Sequence, residues 1–233
     1  MIEEPPLLTI KRPSRRPTQD QIDAFRGAQT GHVVDAMFGA GALDARISPV
    51  GDGRDIECRA VGPALTADNP PADILATSAA MAFLQPGDIL VAAAAGHQGC
   101  AASGDITMTR AKNAGAVGFV TDGPMRDYEG LVEVGFPVWC TGLTPASPFS
   151  NGPGRVGTPV QIGGQRVETG DMVVADGDGV VVVPFDQIDT VIAALKAVQA
   201  VEEVTLKTFA DGLVTPESMA ELLKSDKTVY IDD

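Results

Sequence analysis

The stretch SGDITMTRAKNAGAVGFVTDGPMRD, residues 103–127, decides how the rest of the chain is read. A turn at Gln85-Pro86-Gly87-Asp88 feeds an apolar strand over 89–94, whose unbroken hydrophobicity is that of a strand covered on both faces. A small-residue loop over 96–104 then leads into a helix from Asp105 to about residue 114, and Gly115 passes the chain into a strand over 116–121. Strand, loop, helix and strand in this order close a right-handed crossover between parallel neighbours. Asp105 begins the helix, while Asp122, Arg126 and Asp127 follow the second strand. All four polar groups are therefore expected at the carboxyl edge of a parallel unit, where open α/β sheets place ligands. Helix capping by itself accounts for Asp105, and Arg126 with Asp127 also reads as a surface ion pair. Three further charges packed around Gly123 and Pro124 favour a site.

Outward from this unit, residues 1–17 mix Pro with Lys and Arg without periodicity and read as an extended arm lying on a neighbouring surface or a partner subunit. Thr18 starts a helix carrying Ile22, Phe25 and Ala28, and a second short helix over 31–38 is stopped by Gly39 and Gly41. A strand over 55–65 ends in a Gly62-Pro63-Ala64 turn, and a helix spans 74–83. Past Asp127 a helical piece reaches 134, a strand covers 136–141 and a Pro/Gly-rich loop covers 144–158. Strands over 160–162 and 172–175 flank a Gly163-Gly164 hairpin turn, a buried strand runs over 180–183, and a long helix over 187–209 closes the domain. The division expected is an arm (1–17), one domain (18–212) and a C-terminal tail (213–233). Gly152-Pro153-Gly154-Arg155-Val156-Gly157 matches GxGxxG letter for letter, but lacks the strand before and helix after that a dinucleotide site needs.

The chain has 233 residues, 31 acidic and 17 basic, for a formal net charge of −14. Phosphate recognition runs on clustered cations, so nucleic acid and anionic membrane surfaces are poor partners. Hydrophobic residues make up 44%, which supports a packed core and excludes global disorder. Cys58, Cys100 and Cys140 show neither CxxC nor zinc spacing and read as reduced, buried thiols. No stretch has the length of a membrane span, and the first residues are acidic where a signal peptide is basic, so a cytoplasmic location is expected.

TDGPMRD over 121–127 resembles the DGxxRD signature of the RraA-like family, which includes the 4-hydroxy-4-methyl-2-oxoglutarate/4-carboxy-4-hydroxy-2-oxoadipate aldolases and the RraA regulators of ribonuclease E. VGPALT over 61–66, PGDILV over 86–91, the Gly104-Asp105 helix start, GAVGFVTDGPMRD and DGDGVVVVP over 176–184 follow in that family's order. The resemblance covers roughly residues 31 to 212. It implies a compact α/β fold, an αββα-type sandwich with a swivelling-domain-like core, assembled as a homotrimer or homohexamer with sites between subunits.

Carried over by position, the resemblance makes Asp127 the one carboxylate bound to a divalent metal, Mg2+ or Mn2+, with waters completing the shell of a hard cation. Arg126 would meet a 2-oxo acid substrate at the carbon undergoing cleavage, and Asp105 would hold a metal-bound water. The amides of Ile106 and Thr107, beside Gly104, would receive a substrate carboxylate, a role that the partial positive charge of a helix N-terminus also supports. The activity implied is that of a class II aldolase that cleaves a 4-hydroxy-2-oxo di- or tricarboxylic acid to pyruvate and a second 2-oxo acid. Oxaloacetate decarboxylation, through the same enolate, would be a side reaction. The alternative is a non-enzymatic regulator that binds an RNA-processing enzyme through protein contact; length and the intact Asp105, Arg126, Asp127 set favour chemistry. Lys112, the nearby lysine, is expected to point outward, so no Schiff base is implied. Glu202, with Glu203, reads either as the acid that long-chain members give to the next subunit's site or as a solvated helix face. Asp35, in a Gly-x-x-x-Asp arrangement with Gly31, reads as capping or subunit contact before a site role. His97 and Arg155 are minor substrate-contact candidates, and His32 is read as structural. Ser103, where aldolase members often carry a bulky residue, and 168–171, in place of a proline turn, are departures that remove no proposed ligand.

Overall fold

The computed structural model describes residues 6–231, which form two compact units that meet between Leu195 and Lys196. In the first, β1 (Leu8–Ile10), α1 (Gln19–Phe25), α2 (Thr30–Ala36) and β2 (Ser48–Pro49) precede the long β3 (Ala60–Asp68). Next come α3 (Leu75–Ala80), β4 (Ile89–Ala93), α4 (Asp105–Asn113), β5 (Gly118–Thr121), α5 (Tyr128–Val134) and β6 (Val138–Cys140). Then β7 (Gly154–Val156), β8 (Val160–Ile162), β9 (Gln165–Val167), β10 (Met172–Asp176) and β11 (Gly179–Val183) lead into α6 (Ile188–Ala210). The second unit holds the end of α6 and α7 (Glu217–Lys224).

The mixed α/β architecture expected from the sequence is present. β3, β4, β5 and β6 lie side by side and parallel, each joined to the next through one of α3, α4 and α5. All five residues of β4 are buried, as its uninterrupted apolar run requires. β3 belongs to three ladders, the third a short antiparallel pairing of Ala67 and Asp68 with β7. Its Ala60–Pro63 half pairs antiparallel with β10, while Ala64–Asp68 pairs parallel with β4. Residues 62–64 are therefore strand and not the expected turn. Pro63 is tolerated because it occupies the last position of the β10 ladder, and Gly62 is needed because a Cβ there would stand 2.1 Å from the Gly87 carbonyl. Trp139, fully buried, satisfies its indole N–H on the Asp176 carbonyl at 2.8 Å and fixes β6 to β10.

The Gly163-Gly164 turn joins β8 to β9, a partner that the sequence reading missed, while β10 pairs with β11 and β3. Thr18 and Gln21 form the capping box implied by their spacing. The described part of the N-terminal arm lies on its own chain: β1 pairs with β7, Arg15 bonds Glu168 and Asp171, and Arg16 pairs with Asp88. Residues 1–5 of the expected arm lie outside the described residues. Burial pushes the Asp88 and Asp171 carboxyls above the usual range despite their arginines and backbone donors, so desolvation outweighs the pairing. GxGxxG falls on a loop and β7 with no helix after it, as its context implied.

Candidate functional site

Beyond the carboxyl ends of β4, β5 and β6 the chain runs parallel once more. Ser103 bridges Met125, and Met125 bridges Leu143. Five bonds tie the three segments: Ala102 N to Pro124 O at 2.7 Å, Arg126 N to Ser103 O at 3.1 Å, Met125 N to Gly142 O at 2.8 Å, Thr144 N to Met125 O at 2.9 Å and Ala101 N to Ala146 O at 2.9 Å. This small ladder presents Gly104 and Asp105 from the first segment and Arg126 and Asp127 from the second. Met125, fully buried, anchors its centre.

Gly104 lies against the Arg126-Asp127 pair. A Cβ on Gly104 would stand 2.5 Å from Asp127 Oδ2 and 3.0 Å from Arg126 Cγ, so a glycine is required by space; its extended φ of −152° would suit any residue. Arg126 Nε donates to Asp127 Oδ2 at 3.0 Å, and Nη1 donates to Ser147 Oγ at 2.7 Å. Asp127 caps α5 in the left-handed region, at φ 59° and ψ 48°, a conformation that aspartate adopts more readily than most residues. Asp105 opens α4 and faces α5, where a Cβ on Gly130 would stand 2.3 Å from its Oδ2.

Asp105, Arg126 and Asp127 are thus brought together, with Gly104 between them. Two cavities share Arg126 and Asp127 as lining. One, a partly open cleft of about 30 Å³, is lined also by Ser103, Gly104, Asp105, Ile106, Thr107, Ile74 and Pro148. That is room enough for a water molecule. The other, of about 290 Å³, is open and lined by Tyr128, Leu143, Thr144 and Pro145.

Some expected placements change. Ile106 N donates to Asp105 Oδ1 at 2.6 Å and Thr107 N to Gly104 O at 3.1 Å, so these amides already have acceptors and are not an open donor pair for a carboxylate. Asp122 turns away from the other three charges: it accepts from Ala94 N at 2.6 Å and Gly96 N at 2.8 Å and lines a separate cleft with Gln98 and Thr141. Arg155 is an exposed residue of β7 opposite Asp68, not a loop residue. Burial raises the Asp68 carboxyl and Arg155 opposes the rise. Lys112 is bonded to the Val134 carbonyl and so stays clear of the site, as expected. Asp35 lies on α2, which packs on β10 and β11, and half-buried His97 lines neither cavity. Glu202 lies on α6 in the second unit. Gly130 and Ser147 were missed; their only sequence signals are a glycine inside a helical run and a serine in a Pro-rich loop.

Among the described residues no three His, Cys, Asp or Glu side chains gather to cage a metal ion. The donor set suits instead a hard cation that keeps its waters: Asp127 Oδ1 makes no hydrogen bond among the described residues, and the Asp127 side chain is 43% exposed to an open cavity. None of the described helices is long and apolar enough to cross a membrane.

The Aldolase/RraA family profile matches residues 30–182. A Halalkalibacterium halodurans protein named "Putative 4-hydroxy-4-methyl-2-oxoglutarate aldolase" is 34% identical over 202 residues, covering 87% of this chain and 94% of that protein. The crystal structure of an uncharacterized protein from Pseudomonas syringae pv. tomato is similar at TM-score 0.74 and 25% identity, over 85% of this chain and 92% of that one. Streptomyces coelicolor RraAS2, described as an unusual member of the RNase ES inhibitor RraA protein family, is similar at TM-score 0.71 and 29% identity, over 83% of this chain and all of that one. Matched in sequence over most of its length and in fold by solved relatives, this chain belongs to the RraA-like family.

Proposed function

We propose that the chain is a divalent-metal-dependent class II aldolase that cleaves a 4-hydroxy-2-oxo di- or tricarboxylic acid to pyruvate and a second 2-oxo acid, with oxaloacetate decarboxylation as a side activity. The observation that carries this reading is the packing of Arg126 and Asp127 against Gly104, with Asp105 beside a water-sized cleft. Asp127 would hold the cation, Mg2+ or Mn2+, whose chemistry when bound is to polarise the 2-oxo group. Arg126 places a fixed positive charge where the enolate oxygen develops as the 4-hydroxyl loses its proton and the C3–C4 bond breaks. Asp105 would hold a water in the small cleft, positioned to take the 4-hydroxyl proton as the bond breaks and to return a proton to C3. The open cavity beside Tyr128 and Leu143 takes the remainder of the substrate.

The exposed Val201, Val204 and Leu206 of the second unit support an oligomer, a trimer or hexamer in which Glu202 serves a neighbouring subunit's site. The likeness to RraAS2 favours a second reading, a protein that regulates an RNA-processing enzyme by protein contact. A pyruvate-release assay on 4-hydroxy-4-methyl-2-oxoglutarate and oxaloacetate separates the two. Turnover with Mg2+, abolished by EDTA and restored by excess Mg2+, is expected. No turnover of either compound, or turnover indifferent to EDTA, rejects the aldolase.

A further inference from the structure

We propose that Ser147 is a positioning residue that sets the orientation of the Arg126 guanidinium. The inference deepens the aldolase reading and rests on it for its catalytic consequence, though not for its geometry. A guanidinium carries five N–H donors in a rigid plane, and holding that plane in one orientation takes acceptors at more than one nitrogen. Arg126 has two: Asp127 Oδ2 on Nε at 3.0 Å and Ser147 Oγ on Nη1 at 2.7 Å. The Arg126 side chain is 32% exposed, so without the second acceptor it has solvent to swing into. Nη2 has no hydrogen-bond partner among the described residues and is left for a substrate oxygen.

Ser147 is exposed, but the backbone leading to it is held in place. Ala101 N donates to Ala146 O at 2.9 Å, which ties the residue before Ser147 to the segment that ends in Gly104. Thr144 N donates to Met125 O at 2.9 Å, and Pro145 and Pro148 limit the backbone on either side. The same small ladder therefore positions the guanidinium twice: it carries Arg126 on its middle segment and the Arg126 acceptor on its outer one. Any motion of the 142–147 segment relative to 101–104 is transmitted to the guanidinium.

Developing enolate charge is present in the transition state and not in the bound substrate, so loss of orientation is expected in kcat more than in KM. Ser147→Ala is expected to lower kcat about tenfold to a hundredfold, the effect of losing a hydrogen bond to a charged group, with KM within about twofold. Ser147→Thr, which keeps the hydroxyl, is expected to restore kcat to within about threefold. The binding of oxalate, an enolate mimic, in the presence of Mg2+ should weaken in parallel with kcat, while pyruvate affinity stays constant. NMR relaxation of the Arg126 side-chain nitrogens reads the same contact without turnover: Ser147→Ala should make the guanidinium more mobile, and Ser147→Thr should leave it ordered. If the wild-type chain releases no pyruvate, the aldolase reading fails and the relaxation measurement alone decides the Ser147 role. Wild-type kcat together with unchanged Arg126 mobility in Ser147→Ala, or equal losses in the alanine and threonine variants, would overturn it.

Discussion

The Asp105 carboxylate lies across the backbone of Gly130, so that a Cβ on Gly130 would stand 2.3 Å from Asp105 Oδ2. One helix thus opens on a carboxylate that the next helix has room for only because it lacks a side chain. Alanine at 130 improves intrinsic helix propensity in α5 by about 1 kcal/mol, yet it must displace Asp105. Gly130→Ala is expected to keep a melting temperature near that of the wild type while lowering kcat at least tenfold. A variant as active as the wild type would remove Asp105 from the chemistry.

Gly104→Ala applies the same test to the other side of the site. The new methyl would meet Asp127 Oδ2 at 2.5 Å, so Asp127 must shift by a good fraction of an ångström, and Arg126, with Cγ at 3.0 Å, by a few tenths. Displacement on that scale costs about a hundredfold where geometry is catalytic. The expected result is a kcat/KM loss of that order and a weaker apparent Mg2+ affinity, measured by metal titration of activity.

Arg126→Lys keeps the charge and loses the planar donor set that engages Asp127 and Ser147 together. Steady-state kinetics should show lysine close to alanine here, each lowering kcat by about 10²–10³, the loss typical of a missing oxyanion donor. Lysine restoring most of the activity would mean that charge alone suffices.

Much of this region was legible in the sequence because it is local. The apolar run of β4, the Gly-Asp helix start, the Gly115 stop and the capping box at Thr18 all express themselves within a few residues. The convergence of Asp105, Arg126 and Asp127 follows from the strand-helix-strand order alone. Asp122 was misplaced because its fate is set by two backbone amides, Ala94 N and Gly96 N, that bend the loop after β4 onto it. Ser147 and Gly130 were invisible because their partners lie on other segments and no periodicity announces them. The three-residue β9 has too few residues to show alternation, so β10 was assigned its place beside β8. Pro63 read as a turn because only the two-sided pairing of β3 shows where a missing N–H does no harm.

Arg16 and Asp88 give a stability prediction with a defined pH dependence. Asp88 is nearly buried, and burial raises its carboxyl above the usual value of 3.8 even with Arg16 beside it. Arg16→Ala is expected to cost about 1–3 kcal/mol at pH 7, where Asp88 must stay charged without its cation. An acid whose folded-state value is raised loses stability as pH rises through the window above its unfolded value. The cost of Arg16→Ala should therefore shrink as pH falls toward 4, seen as converging melting temperatures.

Cys140 supplies a second pH signature, in the alkaline range. Burial pushes its thiol from 9 up to about 11. The thiol stays protonated when folded while the unfolded chain ionises, so stability is complete below pH 9 and declines as pH rises toward 11. The decline amounts to about 2–3 kcal/mol. Urea unfolding across this range should show a shallower decline in Cys140→Ala than in the wild type.

The strand β3 reaches from one ladder into another, and its two halves share a single backbone. β3 is buried on both faces, so a slip of one position there would exchange the side chains of its two covered faces on both sides of Pro63 together. Neither half can adjust its register to suit a mutation without dragging the other. Hydrogen exchange should therefore find β4 and β10 opening as one event, and sequence drift in β3 should be confined to substitutions that satisfy all of its neighbours at once.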